Sequence, residues 1–156
     1  DLQASFLAAN LGHDDPARIG PILAHPMVHI GASDGGAHIQ SFATYGDTGY
    51  LFRHFVRDRQ DFTLEAAVKK ITADTARIWG MTDRGLLQPG MAADVTIFDP
   101  AVIDRGEEEA AFDMPEQGMR YIRHARGIEA VIVNGEPAWR AGEGYSSAHS
   151  GQVVNA

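Results

Sequence analysis

Met27-Val28-His29-Ile30-Gly31-Ala32 runs directly into Ser33-Asp34-Gly35-Gly36-Ala37-His38, a short apolar run followed by a carboxylate set among glycines. The apolar run predicts a strand over 27–32, buried on both faces of a parallel sheet. Asp34 then stands at the C-terminal end of that strand, where barrels and open α/β sheets place their catalytic groups. The neighbouring glycines let backbone approach a ligand closely. A second reading stands beside this one, because Asp before Gly often caps a turn through its own backbone. The residue pattern alone leaves the two in balance.

The chain has 156 residues, enough for one domain with a real core. It is short of the roughly 250 residues of a (β/α)8 barrel, so most of any barrel containing Asp34 would lie elsewhere. The sequence begins at Asp1 without Met, and Leu2, Phe6, Leu7 and Leu11 share one helical face that stops near Gly12. A truncation inside a helix is the expectation. Hydrophobic content of 44% and charged content of 22% are those of a soluble globular protein. No apolar run approaches the roughly 20 residues that span a bilayer. A net charge of -8 offers no general attraction to nucleic acid or to an anionic membrane. Small molecules or protein surface are the expected partners. The absence of Cys excludes a disulfide framework and a catalytic or metal-binding thiolate from this chain. That is compatible with a cytoplasmic location, while a targeting signal would precede Asp1.

Upstream of the opening stretch, His13-Asp14-Asp15-Pro16 reads as a connector leading to an apolar segment over 19–24. His25 and His29 are four apart, but Pro26 between them and the strand pattern make them turn or packing residues rather than a metal pair. Downstream, Leu51, Phe52, Phe55 and Val56 form a helical stripe within 50–57. A further helix begins with Thr63 as N-cap and Glu65 in the first turn, and presents Leu64, Ala67, Val68 and Ile71 on one face. Asp74 is read as the cap of a separate short helix over 75–79 that ends at Gly80.

Helical periodicity then gives way to β-rich text. Gln88-Pro89-Gly90 marks a tight turn, and 93–100 alternates apolar and polar residues as a strand with one dry face. Asp94 reads as a polar residue at strand entry rather than a catalyst. Residues 101–126, with Glu107-Glu108-Glu109, read as a solvated surface excursion. Ile128 to Val133, Asn134-Gly135 and Glu136 to Trp139 predict a hairpin with a type I′ turn. Pro137 confines its strand to an edge or makes its pairing irregular.

Several segments together resemble the amidohydrolase superfamily, in the D-aminoacylase or N-acyl-D-amino-acid deacylase branch, and specifically its C-terminal portion. Ser33-Asp34-Gly35-Gly36-Ala37-His38 resembles the loop after the last barrel strand. Thr63 to Val68, Ile71-Thr72 and Ala76-Arg77 resemble the closing helices, and Pro89-Gly90-Met91-Ala92-Ala93-Asp94-Val95 the return into a β-sandwich. Val133-Asn134-Gly135 resembles the final hairpin, whereas residues 113–126 find no counterpart. The likeness covers about residues 25–145.

The resemblance implies an α/β fold, with residues 1–80 the terminal segment of a (β/α)8 barrel and 81–156 the C-terminal part of a small β-sandwich. It implies hydrolysis of the amide bond of an N-acyl-D-amino acid by zinc-activated water, with Asp34 as general acid and base. Gly35, Gly36 and His38 become candidate substrate contacts. One or two zinc ions would be held mostly by residues absent from this chain, with Asp34 a candidate ligand, since no His-x-His occurs here. The isolated chain is therefore expected to be inactive. A hydantoinase-like cyclic amidohydrolase and a non-catalytic β-rich binding or assembly module are the alternatives.

Overall fold

The computed structural model describes residues 15–31 and 33–154, so the helix expected over 2–11 lies outside the described residues. Helices occupy the chain to residue 78 and strands follow from residue 95, a mixed α and β content. No helix among the described residues is long and apolar enough to cross a membrane.

Helix α1 spans Pro16–Ala24. Asp15 caps it, accepting from the Ala17 N–H at 3.0 Å, and Pro16 occupies the first turn where its missing N–H costs nothing. Of the expected connector over 13–16, Asp15 and Pro16 form a helix start, and His13 and Asp14 lie outside the described residues. Helix α2, Asp47–Tyr50, continues into a π-helical run over Leu51–Asp58 that buries Leu51, Phe52 and Phe55. Helix α3, Leu64–Lys69, starts as its sequence indicates, with Thr63 Oγ1 accepting from the Ala66 N–H at 3.2 Å.

Asp74 does not cap a separate helix. The chain runs on helically through Lys70–Asp74 in π geometry and into α4, Thr75–Ile78. The hydroxyls of Thr72 and Thr75 donate to the Val68 and Lys70 carbonyls at 2.7 and 2.9 Å, which opens the turn without ending it. The Asp74 carboxylate is engaged instead by Lys69 Nζ at 2.6 Å and Arg77 Nη2 at 2.8 Å. Those cations hold it below the ordinary carboxylate range, the Lys69 hydrogen bond contributing most. The helix does end at Gly80: its N–H donates to Arg77 O and that of Met81 to Ala76 O, a Schellman closure.

The strand expected over 27–32 is not formed among the described residues. Residues 28–31 run without strand pairing, since no described strand offers them a ladder. Two carbonyls at the start of this stretch are taken by a side chain instead. Buried Lys70 donates from Nζ to His25 O at 2.9 Å and to Val28 O, fixing the chain as it leaves α1.

The strands are β1 (Val95–Phe98), β2 (Glu108–Met114), β3 (Gly118–Arg123), β4 (Ile128–Val133), β5 (Glu136–Arg140) and β6 (Gly144–Tyr145). An antiparallel sheet has the order β1-β4-β5-β6, and β2-β3 is a separate hairpin. Residues 101–126 are therefore not a wholly irregular excursion. Their long-range order escapes sequence reading because β2 faces solvent on both sides and shows no apolar alternation.

The Asn134-Gly135 turn is present, with φ of 49° and 83° at its two central residues. Register slips between Val131 and Ile132, where Ile132 meets Pro137, so the proline marks an irregular pairing. Leu51, Phe52, Phe55, Phe62, Ala67 and Ile103 form the buried cluster, against which Ile19, Ile30, Ile71 and Phe98 pack. The Phe52 and Phe98 rings lie 5.0 Å apart, so the helical part and the four-stranded sheet meet in one core.

Candidate active-site loop

Residues 33–46 form the loop that carries Asp34. Ser33 Oγ accepts from the Gly35 N–H at 3.2 Å, and the Asp34 carbonyl accepts from the Ala37 N–H at 3.1 Å. That closes a four-residue turn whose third position, Gly36, has φ of 100°, as a type II turn requires. The Thr44 hydroxyl reaches back across the loop to Asp34 O at 2.6 Å, with Ala37 O at 3.1 Å as a second acceptor. The turn is thus held by backbone and by hydroxyls, not by the aspartate side chain.

Turn-cap and chemical roles for Asp34 therefore separate. Its carboxylate is exposed and accepts no hydrogen bond or ion pair from the described residues, while Ser33 makes the side-chain bond that a capping Asp would make. A carboxylate in that state is available to a proton or a ligand. Gly36 adds an open flank, since a Cβ built there meets nothing within 4 Å. Beside Gly35 the space is tighter, with Ser33 Oγ 3.1 Å and Tyr45 Cβ 3.4 Å from such an atom. A cavity of about 190 Å³ is lined by Ile30, Gly31, Ser33, Gly46, Asp47 and Leu51 among others.

His38 sits in the left-handed region with φ of 52°, its carbonyl accepting from the Ser41 N–H at 2.7 Å. Its ring stacks on Phe42 with centroids 6.1 Å apart. His25 behaves as the turn residue expected of it, Nδ1 accepting from the Met27 N–H at 3.2 Å. Asp94 accepts from Arg84 at 2.7 Å and from the Asn134 N–H at 2.8 Å, as befits a residue that fixes strand entry.

The described residues include no group of three or more His, Asp or Glu side chains able to hold a metal. Asp34 would supply a single oxygen ligand, which does not make a zinc site. The residues present therefore do not fit a metal centre by themselves. Three side chains that hold the loop in place, Thr44, Tyr45 and Glu108, carry no sequence signal, because two of them act across 78 and 65 residues of chain.

A helical half that leads into antiparallel strands, with an unengaged aspartate in a glycine turn between its helices, meets a matching family profile. The amidohydrolase family profile aligns with residues 4–139, and the chain belongs to that family. Within it the chain is similar to D-aminoacylases and N-acyl-D-amino-acid deacylases. It is 33% identical to an N-acyl-D-aspartate deacylase of Alcaligenes xylosoxydans xylosoxydans, over 90% of this chain and 26% of the relative. A D-aminoacylase crystal structure, described as defining a novel subset of amidohydrolases, matches with TM-score 0.58 and 35% identity over 72% of this chain and 22% of its own. Another D-aminoacylase structure, described through one-metal activation and second-metal attenuation at a binuclear metal centre, matches with TM-score 0.55 and 34% identity. It too is covered over 22% of its length, so this chain spans about a quarter of the length of such relatives.

Proposed function

We propose that this chain is the C-terminal part of a metal-dependent amidohydrolase that cleaves the amide bond of N-acyl-D-amino acids, with Asp34 carrying the proton. The observation that carries this reading is the exposed Asp34 carboxylate, unpaired among the described residues, in a turn held by other groups. In this reading residues 1–80 are the terminal segment of a (β/α)8 barrel and 81–156 belong to a small β-sandwich.

The one or two ions, zinc in this reading, belong with ligands in other segments of a longer chain. The work of the residues here is proton transfer and positioning. Asp34 takes a proton at a carboxylate oxygen from the attacking water and passes it to the leaving nitrogen, which departs as an amine. Gly36, open on its outer side, lets backbone lie against the substrate, with Gly35 beside it and the His38 ring on the rim. The isolated chain is then inactive towards any amide.

The complete protein, assayed in parallel on N-acetyl-D-amino acids, their L-enantiomers and hydantoins, tests this reading. Preferential release of free D-amino acid is the expected outcome. Hydantoin opening without deacylation would move the protein to the cyclic amidohydrolases, and no hydrolysis of either class would favour a binding module.

A further inference from the structure

The hairpin β2–β3 holds the loop that carries Asp34. The Tyr121 N–H of β3 donates to the Ile39 carbonyl at 2.6 Å, the Ala43 N–H donates to Glu108 Oε2 at 2.7 Å, and the Arg123 N–H donates to the Tyr45 hydroxyl at 3.0 Å. Arg123 Nη2 donates to the same Glu108 oxygen at 3.1 Å. Between Ala43 and Tyr45 stands Thr44, whose hydroxyl reaches the Asp34 carbonyl. An unbroken series of contacts therefore runs from the hairpin to the turn beneath the carboxylate.

We infer that Glu108 is a positioning residue for Asp34, anchoring the far limb of its loop to β2. The inference rests on the reading of Asp34 as the proton carrier. An ordinary surface ion pair between Glu108 and Arg123 would contribute little. The Ala43 amide distinguishes this one. Ala43 is 8% exposed, and Glu108 is its acceptor among the described residues. Removing the carboxylate would leave a buried N–H without a partner, the costly half of losing a hydrogen bond. Glutamine at this position keeps an oxygen for Ala43 while losing the charge that meets Arg123.

Amide hydrogen exchange in the complete protein, comparing Glu108→Ala with Glu108→Gln, tests the anchor without reference to catalysis. In Glu108→Ala the Ala43 amide should exchange about tenfold faster or more, the loop 34–44 should follow, and β4–β5 should be unchanged. Glu108→Gln should stay within about threefold of the parent at Ala43. Unchanged Ala43 exchange in Glu108→Ala, or equal loss in both variants, would overturn the inference. If Glu108→Ala does not fold, Glu108→Asp shortens the reach of the carboxylate to the Ala43 amide, and unaltered Ala43 exchange in that variant would overturn it equally. In the complete protein, Glu108→Ala should lower kcat about tenfold with KM little changed, and Glu108→Gln should recover most of it. A freed loop with full kcat would refute positioning. Asp34→Asn with full activity would refute the proton-carrier reading instead, leaving the exchange result to decide whether Glu108 anchors the loop.

Discussion

Asp34 and Asp94 both sit beside apolar strand-like text, yet they live in opposite surroundings. Asp94 accepts from Arg84 at 2.7 Å and from the Asn134 N–H at 2.8 Å, so it ties the turn at 83–85 to the β4–β5 hairpin. Replacing it by Ala should cost about 1 kcal/mol in denaturant unfolding, since one ion pair and one hydrogen bond to a backbone N–H are lost at an exposed site. Asp34 has no such engagement among the described residues, and its replacement should leave stability nearly unchanged. The contrast was legible in part from sequence: the glycines flanking Asp34 and the alternation beyond Asp94 already set the two apart. What sequence could not show was how the Asp34 turn is held. Ser33 and Thr44 do so through hydroxyls, and a hydroxyl ten residues away gives no periodic signal.

At the scale of elements, local chemistry was readable and non-local pairing was not. Thr63 announces its helix through its own capping bond, and Asn134-Gly135 announces its hairpin through the positive φ that both positions need. The apolar run at 27–32 gave the opposite lesson. A strand exists only with a paired neighbour, and no described segment pairs with residues 28–31 in a sheet. The hairpin β2–β3 failed in the reverse direction: its order comes from cross-strand pairs such as Asp113 with Arg120, whose Nε and Nη2 donate at 2.7 and 2.6 Å.

That pair gives the hairpin an acid-sensitive contact. The Arg120 hydrogen bonds hold the Asp113 carboxyl below its ordinary range, so its folded value lies under its unfolded one. The stabilising contribution is complete above the unfolded value of about 4 and is lost as pH falls through the folded value. Asp74, beside Lys69, and Asp83, beside Arg84, carry the same sign. Thermal unfolding followed by circular dichroism should show the melting temperature dropping below about pH 4. Asp113→Asn should flatten that drop, whereas an undiminished slope in this variant would assign it to the other carboxylates.

On the scale of the molecule, the helical half and the sheet share one core, yet Met27, Trp79 and Leu87 remain 78%, 65% and 78% exposed. Apolar surface of that size fits a chain spanning 26% of a relative's length, part of whose packing surface would be covered in a longer protein. One carboxylate stands ready, while the described residues contain no cluster that could hold an ion. Family membership was thus legible from short motifs, whereas a metal-binding cluster is absent among the described residues, and under the proposed function its ligands belong to other segments of a longer chain. The most direct measurement is the steady-state rate of Asp34→Asn in the complete protein, assayed on an N-acetyl-D-amino acid. A fall in kcat of roughly 10²- to 10⁴-fold with folding and KM preserved is expected of a lost proton carrier. Deacylation at near the parent rate would show that Asp34 carries no proton in this reaction.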